Sequence, residues 1–199
     1  MKFGGTSVGS VKSILSVKSI VEKEAKRQPV IVVVSALGGI TDKLIATSKL
    51  AENGDDKWKQ SFDEIVDRHY MMIDTVITDN TAREQLFATI DILLDQLKSI
   101  FFGVYLVHDL SKKSYDTIVS YGERISSIVA AMIRGARRVN SLDFIVTEQK
   151  NGRHILDSDL THKRVCETFA NLSRISIVPG FISRDRDTHD ITNLGRGGS

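Results

Sequence analysis

Residues Val30 to Val34 read Val-Ile-Val-Val-Val, a β-branched run with no polar residue alternating through it. Side chains branched at Cβ favour extended backbone. A strand without polar alternation is one covered on both faces, as in a parallel sheet. Parallel strands need crossover connections, so helices are expected on either side. From Ser10 to about Arg27 the apolar residues Val11, Ile14, Leu15, Val17, Ile20 and Val21 recur at helical spacing, with Lys18, Glu22, Lys23 and Glu24 on the wet side and Ser10 as a candidate cap. With a short apolar start at Met1–Phe3, residues 1–34 predict a β-α-β unit.

Both strands of that unit run out into glycine and hydroxyl residues. The first gives Gly4-Gly5-Thr6-Ser7, with Lys2 at its mouth; the second gives Ser35 to Asp42, including Gly38 and Gly39. Glycine lets backbone N–H groups approach an anion, and a following helix adds partial positive charge. Neither loop is a P-loop or a dinucleotide fingerprint. Two such loops at the carboxyl edge of neighbouring parallel strands nevertheless predict a ligand site there. Thr41 or Asp42 is expected to cap a helix running to about Ala51.

After a turn at Asn53–Asp56, helical spacing predicts an excursion of two amphipathic helices over roughly 57–77 and 81–102. His69 and Tyr70 read as structural residues, and Asp74 and Asp79 as cap or solvent residues. Residues 103–111 read as a connection. A long helix from about Lys113 to Arg134 follows, with Gly135 as its stop. It contains Ser120-Tyr121-Gly122-Glu123. A glycine inside a helix costs roughly 1 kcal/mol against alanine, so Gly122 implies either close packing or clearance for a ligand beside Glu123. Further on, Leu142–Thr147 predicts a strand, 148–157 a polar loop and 158–172 a helix with Cys166 as a small core residue. Ile175–Val178 predicts another strand, and Arg184–Asp190 the tip of a hairpin. The chain closes on Leu194-Gly195-Arg196-Gly197-Gly198-Ser199, a third glycine-rich loop. Arg196 suits a two-pronged contact with a carboxylate or phosphate.

With 199 residues, 41% hydrophobic, and a net charge of +2, the composition predicts one globular domain without a nucleic-acid partner. No apolar run approaches about 18 residues, so no membrane span is expected. A lone cysteine and the lack of a signal-peptide pattern favour a cytoplasmic location.

Lys2 to Val8, the Ser35–Thr41 loop, Ser120-Tyr121-Gly122-Glu123, Pro179-Gly180-Phe181 and Leu194 to Ser199, in this order, resemble aspartate kinase of the amino-acid kinase superfamily. The helical excursion is similar to that of bifunctional aspartate kinase–homoserine dehydrogenases. The resemblance implies an α/β fold, a three-layer αβα sandwich with a mainly parallel sheet and a helical insertion. It implies phosphoryl transfer from ATP, with Mg2+, to the side-chain carboxylate of L-aspartate, the opening step toward lysine, threonine and methionine. Under that resemblance Lys2 neutralises the transferring phosphoryl group, and Gly4, Gly5 and Ser7 hold ATP phosphates. Thr41, Glu123 and Arg196 hold aspartate, with Ser35 and Ser199 lining the pocket. Glu123 suits the α-ammonium and Arg196 a carboxylate. Only Met1 precedes Lys2, where the family carries several apolar residues. The family also continues past the final serine with an aspartate, an ATP-binding lobe that carries much of the metal site, and regulatory domains. Residues 1–199 are therefore expected to be the N-terminal, aspartate-binding lobe, inactive alone and homo-oligomeric in the full-length protein. The alternatives are a kinase of another carboxylate such as glutamate, and a non-catalytic small-molecule-binding module.

Overall fold

The structure, a computed structural model, describes residues 1–131, 133 and 135–194. Elements in chain order are β1 (Lys2–Phe3), α1 (Gly5–Val8), α2 (Val11–Ala25), β2 (Val30–Val34), α3 (Ile40–Glu52), α4 (Lys57–Val76), α5 (Asn80–Val107), α6 (Lys112–Ala130), β3 (Ala136–Arg138), β4 (Val146–Lys150), β5 (Arg153–Leu156), α7 (Ser158–Thr168), β6 (Ile175–Pro179), β7 (Ile182–Asp185) and β8 (Ile191–Asn193). Two four-stranded sheets form, ordered β1-β2-β6-β3 and β5-β4-β7-β8. The first is parallel throughout. In the second, β4 and β7 are parallel and the outer pairings are antiparallel.

The β-branched run is the centre of the parallel sheet. Val30, Val32 and Val34 are buried in the main core with Ile14, Val17 and Val21 of α2, Leu44 of α3 and Ile125 of α6. Ile31 and Val33, on the opposite face, are half-buried and meet Phe144, Val165, Phe169 and Val178 in a smaller cluster. Helices therefore lie on both faces, with α2 and α6 on one and α7 on the other, giving the αβα sandwich. Ser10 caps α2, and its hydroxyl and that of Ser13 bond each other's backbone N–H.

The excursion is continuous with this core. Trp58, Phe62, Ile65 and Ile73 of α4 pack with Ile90, Leu97 and Phe101 of α5 in the same cluster as Leu44 and Tyr121. Asp79 caps α5, accepting the Ala82 N–H. His69 is buried, and its Nδ1–H donates to the Ile65 carbonyl at 2.7 Å.

Several local expectations are corrected. The stretch 103–107 continues α5, because Val104 is buried and the Tyr105 ring lies 6.1 Å from that of Trp58; the helix ends at His108, in the left-handed region. Ser141–Asp143 is a 3-10 turn capped by Asn140, which delays the strand to Val146. The polar loop 148–157 is a hairpin, β4 to β5, turned by Asn151-Gly152 at φ 51° and 74°. β3 carries Arg137 and Arg138 and sits at the sheet edge, paired among the described residues only with β6. Cys166 is exposed, not in the core, because α7 is covered on one side only. Among the described residues no helix is long and apolar enough to cross a membrane.

Candidate active site

The site forms where β1 and β2 end. Ser35 N–H donates to the Phe3 carbonyl at 3.1 Å, so the two strands pass into their loops side by side. The loops then meet backbone to backbone. A Cβ on Gly5 would stand 3.0 Å from the Ala36 carbonyl oxygen, and one on Gly9 would stand 2.8 Å from that of Gly5 and 3.2 Å from the Gly38 nitrogen. Side chains at these positions would push the loops apart. From the far side the Arg68 guanidinium, on α4, donates to the Gly9 carbonyl and ties the excursion to the first loop.

Gly39, at φ 84°, is the N-cap of α3 and accepts no side-chain cap. The helix therefore begins at Ile40, and Thr41 and Asp42 sit in its first turn instead of capping it. That turn aims Thr41 at the space above the loops.

The opposite wall is α6. Lys112, Tyr115, Asp116, Val119 and Glu123 fall on one helical face, and all line a cavity of about 650 Å³ together with Gly5, Ser35, Thr41, Phe181 and Asn193. Gly122 allows the close approach: a Cβ there would lie 2.8 Å from the Ala36 Cβ and 3.4 Å from Leu44. Close packing, the simpler of the two reasons expected for this glycine, is the one observed. Ser126 adds a hydrogen bond from its hydroxyl to the Ser35 carbonyl.

Glu123 is 4% exposed. Its Oε1 accepts the Ala36 N–H at 3.3 Å, while Oε2 has no hydrogen-bond partner among the described residues. Burial pushes the carboxyl up to about 7, against a lowering by the Ala36 N–H. A buried carboxylate with one unpartnered oxygen is suited to a cationic ligand, which would restore its charge.

Of the residues singled out in the sequence, Gly5, Ser35, Thr41 and Glu123 line this cavity. Lys2 is exposed in β1 opposite Val33. Gly4 precedes α1, and a Cβ there would meet nothing within 4 Å. Ser7 lines a separate groove with Phe3, Ser10 and Ser13. Arg196 and Ser199 lie outside the described residues. Asp116 and Asn193 were not singled out, although the spacing of Asp116 from Glu123, two helical turns, marks it as lying on the same face.

The model of the amino acid kinase family matches residues 1–199. The chain belongs to the amino acid kinase family. Among curated family members it is 28% identical to aspartokinase 1, chloroplastic, of Arabidopsis thaliana, over all of this chain and 36% of that one. It is 29% identical to the aspartokinase of Geobacillus stearothermophilus, again over all of this chain and 36% of that one. Among solved structures it resembles E. coli aspartokinase III in complex with aspartate and ADP, with a TM-score of 0.79 and 26% identity over 99% of this chain and 43% of that one. The chain thus spans less than half the length of these proteins.

Proposed function

We propose that this amino acid kinase chain serves an aspartate kinase, transferring the γ-phosphoryl group of ATP to the side-chain carboxylate of L-aspartate. The observation that carries the reading is Glu123: a buried carboxylate with one oxygen unpartnered among the described residues, on the wall of a cavity whose floor is two glycine-rich loops. The aspartokinase relatives, one of them solved with aspartate and ADP, point the same way.

Phosphoryl transfer needs little covalent chemistry from the protein; it needs two anions brought into line and their charge compensated. In this reading Glu123 takes the α-ammonium of aspartate, Thr41 and Ser35 offer hydroxyls, and Arg196 and Ser199 complete the carboxylate contacts. In this reading Gly4, Gly5 and Ser7 bind the phosphates, Ser7 from the neighbouring groove that it lines with Phe3, and Lys2 compensates charge on the transferring group. A side-chain carboxylate oxygen attacks the γ-phosphorus, forming the acyl phosphate as the bond to ADP breaks. The nucleophile is already ionised, so no general base is required. Among the described residues no three His, Cys, Asp or Glu side chains gather as a metal site. Mg2+ would supply charge neutralisation at the phosphates and, in this reading, is held mainly by protein outside residues 1–199. Residues 1–199 act, in this reading, as the aspartate-binding lobe.

The test is ATP-dependent formation of acyl phosphate, trapped with hydroxylamine, by the intact gene product with aspartate or glutamate. Trapping with aspartate supports the reading. Preference for glutamate replaces the substrate, and turnover of neither leaves a binding module.

A further inference from the structure

The first glycine-rich loop, Gly4 to Gly9, has little of its own to hold it in place. Val8 is its one buried side chain, and its single turn of helix, α1, closes with the Gly9 N–H donating to the Thr6 carbonyl at 3.5 Å, a long bond. Among the described residues one side chain from elsewhere in the fold hydrogen-bonds to this loop. It is Arg68 of α4, whose guanidinium donates to the Gly9 carbonyl. Gly9 is also the point where the loop is least free to move. Ser10, next in the chain, opens α2 with reciprocal capping bonds to Ser13. In front, a Cβ on Gly9 would meet the Gly5 carbonyl oxygen and the Gly38 nitrogen, and Gly5 and Gly38 both line the cavity. Backbones packed this closely cannot shift independently, so a displacement at Gly9 reaches both glycine-rich loops. One turn earlier on the same face of α4, Glu64 pairs with Lys43 of α3. That pair is open to water on both sides and so weak, whereas the Arg68 bond is charge-assisted and partly buried.

We propose that Arg68 is a positioning residue for the nucleotide: it braces the first loop from behind and holds Gly5 and Ser7 in the arrangement that receives phosphate. Arg68 lines neither the cavity nor the groove beside it, so it acts through Gly9 and not on the ligand. The helical excursion thereby becomes part of the nucleotide site, because α4 supplies the brace and packs into the main core through Ile65 and Ile73. The nucleotide consequence rests on the phosphate-binding reading of this loop; the bracing does not.

The test combines ligand binding, kinetics and hydrogen exchange on the intact gene product. Arg68→Ala is expected to weaken ADP binding about tenfold in calorimetry and to raise KM for ATP to the same extent, with kcat and KM for aspartate within about twofold of wild type. Amide exchange should speed at Ser7 and Gly9 while β2 and β6 keep their protection. Arg68→Lys retains a donor for the carbonyl and is expected to recover ADP affinity to within about threefold of wild type. Should alanine unsettle the whole fold, exchange in Arg68→Lys, faster than wild type at Ser7 and Gly9 alone, carries the same test. Faster exchange and weaker ADP binding, with no turnover of aspartate by wild type, keep the brace and remove the substrate reading. Wild type without affinity for ADP, unchanged exchange at Ser7 and Gly9, an equal rise in both KM values, or a lysine variant no better than alanine overturns the proposal.

Discussion

Glu123 of α6 and Ala36 of the loop after β2 are joined by a hydrogen bond across a close contact that Gly122, the preceding residue of the helix, allows. The Ala36 N–H donates to Glu123 Oε1 at 3.3 Å, and Gly122 removes the Cβ that would otherwise stand 2.8 Å from the Ala36 methyl. The helix bearing the acid and the loop lining the cavity are thereby held together.

Gly122→Ala tests that lock. Alanine favours a helix by up to about 1 kcal/mol, but the clash with a buried methyl on the neighbouring strand end costs more. We expect a net loss of about 1–2 kcal/mol in urea unfolding, and weaker ligand binding at Glu123. A gain in stability would show that the loop can yield.

Two buried groups give opposite pH dependences of stability. Glu123 is raised from 4.5 to about 7, so the native state holds a proton that the unfolded chain has released; its stabilisation is full below 4.5 and lost as pH rises to about 7. His69 is lowered by burial from 6.5 to about 4; its stabilisation is full above 6.5 and lost as pH falls to about 4. Each amounts to about 3 kcal/mol as an upper bound, so these contributions largely cancel in the wild type. Removing one should unmask the other. Glu123→Gln should grow more stable from pH 4.5 to 7, and His69→Leu less stable over the same interval, read as urea midpoints.

Ligand affinity should carry the same signature. In the proposed function an ammonium on Glu123 requires the ionised acid, so binding of aspartate below pH 7 should release a proton. Affinity is expected to fall about tenfold per pH unit below 7, and proton release should appear as a buffer-dependent heat in calorimetry. A pH-independent affinity would remove Glu123 from the ammonium contact.

Lys2→Ala should separate chemistry from binding. The proposed function gives its charge to the transferring phosphoryl group, and on that reading kcat should drop about a hundredfold or more while aspartate binding survives. Persistent turnover would show that Lys2 has been given the wrong role.

Cys166 should react with a disulfide reagent in the native protein, one thiol per chain without denaturant, because it lies on the open side of α7. Protection of the thiol until unfolding would mean that this face is covered.

Much of the fold was legible in local pattern. Val30–Val34 specified a central parallel strand, Ser10 a helix start, and the apolar spacing of 57–102 a helical excursion. The errors arose where a neighbour outweighed local preference. Gly103 reads as a break, but Val104 and Tyr105 hold α5 helical by packing against the core around Trp58. Cys166 reads as apolar, but among the described residues no element covers its side of α7. The Asn151-Gly152 turn was legible as a hairpin signal and was outweighed by the polarity around it.

For the site, sequence alone determined which chemistry was available: glycines where backbones must meet, and Glu123 beside a helix glycine. Local spacing carries that information because backbone clearance and helix faces repeat over a few residues. Only the tertiary structure decided that Glu123 is desolvated, that Gly122 serves Ala36, and that Asp116 meets Asn193 across 77 residues of chain. Burial and long-range pairing depend on which elements the whole sheet brings together, and no window of sequence contains both partners.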